Sequence, residues 1–441
     1  MKVKIGEERL VCQGPAYEDT IWGVMQFPTV YKLDNGNLVV RTHVGDDSWT
    51  EIGRADKEWW HLSEDLGKTW KKVGTQQTGV GLTLSNGERI SFPPQQSVIL
   101  PPDAVKARRG FTEPLPSDKI VKEPDGSMPY PSFRYLDIAG QENLIYDFDY
   151  LPDEYNKKEW HMLRTGIDGV TREEIVPLDI PTMSTHGVMR RYLDNTLIFM
   201  RPYPIGHVKQ APDGSIWAIT YLGAHLNPYN KAPSPKSAVA IFRSTDNAKS
   251  FKLHSYIPEI IDTFKHPNAW LGSGYNEADF EFMDDGSVII FMRTVDVFSG
   301  GPEWNDMYFA RSTDNGLTWS EPTSFGCGVL PSLVKLKCGA TLAAYGRPGI
   351  FVRACFDKSG QKWEDPIEIM TPNDRSRLMN NPPERPNFHQ WAGSCCNVEL
   401  KPFDDNTAML VYSDFYVPDA SGKTNKKLKS IMFRMITVEN D

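Results

Sequence analysis

The sequence predicts an all-β chain folded as a six-bladed β-propeller, and three observations carry that prediction. The first is a repeated octapeptide: residues 63–70 read SEDLGKTW and residues 312–319 read STDNGLTW, both Ser-x-Asp-x-Gly-x-Thr-Trp. The second is a repeated hairpin signature, two apolar stretches joined by a tight polar turn. The third is composition. With 33 Pro and 34 Gly in 441 residues, the chain is interrupted roughly every 6–7 residues, which leaves little room for helical periodicity. Aromatics reach 11%, with 12 Trp, as a large β fold needs.

The octapeptide reads as a hairpin turn. Its Asp accepts hydrogen bonds from backbone N–H groups, its Gly supplies a position of positive φ, and its Trp plugs the underside of the hairpin. STDNAKSF (244–251) is a weaker copy, and FDKSGQKW (356–363) is another after a one-residue slip. Each copy follows a strand-like stretch: EWWHL, AVAIFR, MYFAR or IFVRAC. These residues are expected to stabilise the fold and not to form a catalytic site; Trp70 and Trp319 are expected as buried plugs.

The hairpin signature appears in FPTVYKLDNGNLVVRTH (27–43), GVMRRYLDNTLIFMR (187–201), HVKQAPDGSIWAITY (207–221) and ADFEFMDDGSVIIFMRT (278–294). It recurs in PSLVKLKCGATLAAYGR (331–347) and CNVELKPFDDNTAMLVYSD (396–414), with GLTLSNGERISF (81–92) a further candidate. Asn-Gly and Asp-Gly between alternating apolar residues favour tight hairpin turns. One such hairpin followed by one octapeptide hairpin makes a four-stranded sheet, and sheets repeated about an axis close into a propeller. The expected units are 27–72, 207–252, 278–320, 330–365 and 394–439. Residues 73–206 exceed one blade and are assigned one blade with insertions, including a Pro-rich loop at 92–118. The chain is therefore read as one propeller domain, 1–441. Seven blades is the alternative if the hairpins at 81–92 and 187–201 belong to separate blades.

A net charge of −9 argues against nucleic acid as the main partner, because a phosphate backbone needs a basic face. No apolar run approaches ~18 residues, so no membrane span is expected. The six Cys, at 12, 327, 338, 355, 395 and 396, show neither CxxC nor Cys/His spacing; reduced thiols are expected, with no metal and no cofactor. The start, MKVKIGEERLVCQGPAYEDT, lacks the apolar core of an export signal. The cytoplasm is the expected location if Met1 is the native start, and the periplasm or the exterior if a signal has been removed. The oligomeric state is left open.

The octapeptides resemble the Asp boxes of the sialidase superfamily, also called the BNR-repeat family, and the resemblance covers nearly the whole chain apart from about 73–180. It implies a propeller. Activity has to be argued from the site, because the superfamily includes sialidases, other exo-glycosidases, some lyases and non-catalytic members. Sialidases grip a carboxylate with three arginines, and they use a Tyr nucleophile activated by a Glu together with an Asp acid/base. GYNEADFEFMDDGSVIIFMRT (274–294) is similar to the segment carrying the Glu and the second arginine, which maps them onto Glu277 and Arg293. AAYGRPG (343–349) is similar to the segment of the third arginine, here Arg347. The first arginine's place is taken by Gln26 in MQFPTV, and the Tyr's place by Ser394, Cys395 and Cys396 in QWAGSCCNVEL. The acid's loop, HVGDDSWTEIGRAD, offers Asp46, Asp47 and Asp56. These departures argue against ordinary sialidase activity and for changed chemistry on a retained scaffold.

In a propeller, residues just before the inner strands converge at one end of the channel. The candidates for catalysis are Glu277, Asp46, Asp47 and His207, with Asp279 as a second carboxylate beside Glu277. The candidates for substrate binding are Arg293, Arg347, Gln26, His186, Trp391 and Tyr275, with Arg190, Arg201 and Trp304 as further trials. Structural roles stand beside each: an ion pair with Arg293 for Glu277, a turn for Asp46 and Asp47, a strand-start hydrogen bond for either His. The expected function is that of a carbohydrate-active enzyme, an exo-acting glycoside hydrolase on a terminal sugar that may be acidic in keeping with the arginines. The alternatives are a polysaccharide lyase and a non-catalytic glycan-binding propeller.

Overall fold

The structure, a computed structural model, describes residues 1–14, 25–44, 58–74, 80–93, 98–100, 133–136, 142–145, 157–180, 188–190, 197–199, 204, 207–222, 225–226, 233–234, 238–258, 274–294, 306–346, 349–370, 397–414 and 430–439. Every regular element among them is a β-strand. Gly36, Gly87, Gly214 and Gly286 sit at φ +83° to +86° in the hairpin turns that Asn-Gly and Asp-Gly predict.

Among the described residues most strands fall, in chain order, into groups that follow the expected plan of one hairpin after another, with the second and third groups joined in one eight-stranded sheet. The first contains Met25–Lys32, Leu38–Val44, Glu58–Ser63 and Lys71–Val73. The second contains Leu82–Thr83, Arg89–Ser91, Glu159–Thr165 and Thr171–Asp179, and the third Val208–Gln210, Ile216–Leu222, Ala238–Ser244 and Phe251–Pro258. The fourth runs Asn276–Phe282, Val288–Arg293, Asp306–Ser312 and Thr323–Cys327. The fifth runs Val329–Lys335, Thr341–Gly346, Ile350–Cys355 and Ile367–Met370. The sixth joins Val398–Pro402, Thr407–Asp414 and Ser430–Glu439 to the N-terminal strands Lys2–Ile5 and Arg9–Gln13, which both pair with Ser430–Glu439.

The region 73–206 is more elaborate than one interrupted blade. The hairpin at 81–92 belongs to the second sheet, whereas the hairpin at 187–201 joins a separate five-stranded sheet. The strands of that sheet run in the order Phe133–Leu136, Glu142–Ile145, Val188–Arg190, Leu197–Phe199, Val98–Leu100, which is not a consecutive meander.

The chain divides into two compact units: residues 1–81, 279–293 and 305–441 form one, residues 82–278 and 294–304 the other. Within the former, sheets four, five, six and one pack face to face in that order through three apolar clusters. Phe291, Met307, Leu333 and Tyr345 fill the first, Leu342, Val352, Leu400 and Leu410 the second, and Val30, Val40, Met409 and Phe433 the third. The second strand of each of these sheets is buried on both faces, which is why VIIFMR and TLAAYG are almost continuously apolar. In the other unit, Trp160, Phe242 and Phe251 dominate the cluster of sheets two and three. Those sheets are stitched outside-to-outside by the parallel pairing of Leu178 with Phe251 and Asp179 with Lys252.

The octapeptides form the turns that their residues predict. Ser63 Oγ donates to Asp65 Oδ1 at 2.8 Å and accepts from Gly67 N at 2.8 Å. Thr69 donates from its backbone N at 2.9 Å and from Oγ1 at 2.6 Å to the two Asp65 oxygens. Ser312, Asp314, Gly316 and Thr318 repeat the pattern. Gly67 lies at φ +83°, and a Cβ there would meet the Phe433 ring at 2.2 Å. The fourth copy corrects the sequence alignment. Cys355 stands in the serine position, Gln361 N donates to Asp357, and the extra residue lies between Asp357 and Gly360, so that Trp363 Nε1 still donates to Gly360 O at 2.8 Å. Trp70 and Trp319 are half-buried, and Trp70 packs under its turn against Phe433 as a plug, ring centroids 5.3 Å apart; in the third copy the smaller Phe251 is buried completely. An unforeseen clamp links each Asp-Gly-Ser hairpin to the strand before the octapeptide. Arg243 bonds Asp213 at 2.6 Å and Ser215 at 3.1 Å, and Arg311 bonds Asp285 at 2.5 Å and Ser287 at 3.1 Å.

Two outcomes follow for stability. Phe251, in ring contact with Trp160 at 5.1 Å, is expected to cost about 3–5 kcal/mol on replacement by Ala, and half-buried Trp70 less, about 2 kcal/mol; chemical unfolding of the two variants gives the ranking. Hydrogen bonds from Thr69, Thr318 and Ser359 hold the Asp65, Asp314 and Asp357 carboxyls at about 2, below the unfolded value of about 3.9. Their contribution is therefore complete above pH ~4 and is lost as pH falls from there towards ~2. Melting temperature measured against pH should fall less steeply across that window in Asp314→Asn than in the parent.

Candidate functional site

The inner strands of sheets one, four and five begin with the same local distortion. Counting back six residues from the first turn residue (Leu33, Met283, Leu336) gives Phe27, Glu277 and Leu330, at φ +48°, +42° and +48°. In sheet one the register steps from Gln26 opposite His43 to Thr29 opposite Arg41, three residues against two. In sheet five it steps from Val329 opposite Gly346 to Ser332 opposite Ala344. These are β-bulges, which re-aim side chains and recur beside functional sites. A non-glycine residue held at positive φ costs about 1–3 kcal/mol and needs its surroundings to hold it there. Where the others carry Phe and Leu, the fourth sheet carries Glu277.

Two residues after Glu277 and Leu330, and at the matching position of the sixth sheet, comes a polar side chain that reaches the next sheet. Asp279 Oδ2 accepts from Leu333 N at 2.6 Å, Ser332 Oγ accepts from Leu400 N at 2.9 Å, and Glu399 Oε2 accepts from Val30 N at 3.1 Å. Each acceptor stands four residues before its turn and each donor three before the next. Glu281 adds a bond from Lys335 N at 3.2 Å and Asn397 one from Phe27 N at 3.1 Å. Asp279 is fully buried, and its other oxygen accepts from Phe280 N at 2.7 Å. It is thus committed to backbone donors and is not the second catalytic carboxylate that the sequence suggested. Lys401 pairs with Glu399 at 3.1 Å. Burial works against its charge, but Glu399, Tyr31 and Asp279 outweigh burial and raise its pKa.

The structure positions part of the expected set. Gln26 (1% exposed) lies in the inner strand of sheet one, and Tyr275 (3%) immediately precedes that of sheet four. Glu277 is half-buried near the head of Asn276–Phe282. Arg293 (9%) ends the second strand of the same hairpin, so the two share its open end. His207 is half-buried just before Val208–Gln210. Asp46, Asp47, Asp56, His186, Arg201, Trp304, Arg347, Trp391, Ser394, Cys395 and Cys396 lie outside the described residues, as does the side chain of Arg190. No group of three or more His, Cys, Asp or Glu stands ready to hold a metal ion among the described residues, and no helix is long and apolar enough to cross a membrane.

Sequence reasoning passed over His43 and Glu58. His43 pairs in register with Gln26 on one side and Glu58 on the other. The signal was present: a histidine ten residues after the first turn residue of the first hairpin, where the fourth has Arg293.

No family model matches the chain, and no curated protein does. Solved structures do match. A protein of unknown function from Dyadobacter fermentans aligns with 98% of this chain and 99% of its own at 16% identity and a TM-score of 0.54, which shows a shared fold. The NanB sialidase of Streptococcus pneumoniae aligns over 98% of this chain and 70% of its own, at 12% identity and a TM-score of 0.49. The α-L-arabinofuranosidase of Fusarium graminearum, solved with arabinobiose, aligns over 99% and 98%, at 13% identity and 0.45. Sialidases thus stand among the structural neighbours, at identities that speak to fold and not to activity.

Substitutions at the two carboxylates should move stability in opposite directions. Asp279→Ala strands two buried N–H groups and is expected to cost about 2–3 kcal/mol. Glu277→Gly relieves the positive φ and is expected to gain about 1 kcal/mol. Thermal unfolding of both variants checks the sign.

Proposed function

We propose that this chain is a glycoside hydrolase that removes a terminal acidic sugar from a glycan, and that its sheets are the blades of one propeller, seven of them when the five-stranded sheet holding the 187–201 hairpin is counted with the rest. The reading is carried by Glu277, a carboxylate kept at a strained bulge position that two equivalent strands fill with apolar residues. Its strand matches the sialidase-like segment GYNEADFEF, and the same hairpin ends at Arg293. Glu277 acts as the base or the electrostatic stabiliser. Arg293 and Arg347 grip the sugar carboxylate through planar forks. The acid is drawn from Asp46, Asp47 or His207. Release of sialic acid itself is not expected, because Gln26 occupies the first arginine's place and no Tyr occupies the nucleophile's.

A panel of aryl glycosides and acidic oligosaccharides identifies the substrate. Glu277→Gln keeps shape and removes charge, so the variant should fold with an unchanged melting profile and lose at least about 10²-fold in turnover. Near-parental turnover on a verified substrate would remove Glu277 from the chemistry. Glycan binding by the parent protein without any turnover would favour a binding propeller.

A further inference from the structure

One face of the first sheet changes character in three successive rows. Nearest the turn, Tyr31, Val39 and Leu62 lie side by side in register and pack in an apolar cluster with Val80. The next row is Thr29, Arg41 and Trp60, and the last is Gln26, His43 and Glu58. The bulge at Phe27 makes the last row possible. Without the extra residue Phe27 would stand opposite His43, and with it Gln26 does. Directly opposed residues of an antiparallel pair bring their Cβ atoms to about 5 Å on the same face, so an amide, an imidazole and a carboxylate stand in line. Arg41, two residues back on the same face, pairs with Glu58 at 3.5 Å, both half-buried.

The scaffold does not require polar groups in this row. The equivalent row of the fifth sheet is Val329 opposite Gly346, after the same bulge. Gln26 is 1% exposed and His43 8%. Burial pushes the Glu58 carboxyl up while Arg41 opposes it. The groups facing His43 are therefore Gln26 from the inner strand, Glu58 from the third and Arg41 from its own. His43 also occupies the position, ten residues past the first turn residue, that Arg293 occupies in the fourth sheet.

We propose that Gln26, His43 and Glu58, with Arg41, form a sugar-hydroxyl subsite on the first sheet. Planar groups carrying donors and acceptors side by side match the vicinal hydroxyls of a pyranose. Gln26 and His43 contact the hydroxyls, and Glu58, held by Arg41, positions the imidazole. The assignment rests on the hydrolase reading for the identity of the sugar, and on the geometry of the row alone for its place.

The test has two arms. In the first, NMR follows the His43 ring signals, assigned by their loss in His43→Gln, while D-glucuronic acid, D-galacturonic acid and N-acetylneuraminic acid are added in turn. At least one should shift the His43 signals, and Glu58→Gln should abolish the shift while the melting temperature stays close to the parent's. In the second, His43→Ala is expected to raise KM about tenfold or more with kcat largely kept, and His43→Gln to restore much of the loss. His43 signals unmoved by all three sugars would overturn the subsite, as would an unchanged KM in His43→Ala. A shift at His43 in a protein that hydrolyses nothing on the panel would support the subsite while removing the hydrolase reading.

Discussion

The innermost strand of every sheet is an edge strand, and its outward N–H groups must be bonded although no further strand lies beside them. The larger unit meets this need with side chains. Asp279, Ser332 and Glu399 stand at one register position in three consecutive inner strands, and each accepts from the backbone of the next at 2.6–3.1 Å. Two of the three acceptors are carboxylates, and Asp279 makes the shortest of the three bonds, at 2.6 Å. These bonds set the register of one sheet against the next, so the apolar clusters between the sheets and the placement of the strand heads depend on them.

Glu277 and Leu330, both at positive φ, lie two residues upstream of the acceptors Asp279 and Ser332. The bond that fixes one sheet to its neighbour thereby also braces a segment held at positive φ, which is how a strained position can persist at Glu277. The repeat keeps the backbone constant and varies the side chain. Phe27 and Leu330 occupy the bulge with apolar groups, whereas Glu277 presents a carboxylate. The row beside the bulge varies in the same way, Val329 and Gly346 in the fifth sheet against Gln26 and His43 in the first. Polar character is thus varied strand by strand without a change of architecture.

Much of this was legible in the sequence because its causes are local. Asn-Gly and Asp-Gly turns, period-two alternation and the Ser-x-Asp-x-Gly-x-Thr-Trp hydrogen bonds each close within about a dozen residues. The expected units at 27–72 and 278–320 accordingly meet sheets at 25–73 and 276–327. The octapeptide Asp residues were read as turn formers, which is what their bonds make them. What escaped were relations between distant residues: Asp279 looked like a catalytic partner of Glu277 until Leu333, 54 residues on, claimed it. The clamp from Arg311 to Asp285 spans 26 residues and has no local period. The five-stranded sheet joins the 187–201 hairpin to strands at 98–100, 133–136 and 142–145 that carry no repeated signature.

By itself the sequence determined the element type, the hairpin turns, the repeat and the segment that carries Glu277, because φ preferences, side-chain alternation and short-range hydrogen bonds act along the chain. Only the tertiary structure decided which carboxylates remain for chemistry and which are consumed by neighbouring backbones. It also decided that one extra residue at Phe27 turns Gln26 towards His43 and Glu58. A bulge reverses the face of every residue beyond it, and a buried carboxylate's role follows from the donors that reach it; both are set by contacts that only folding brings together.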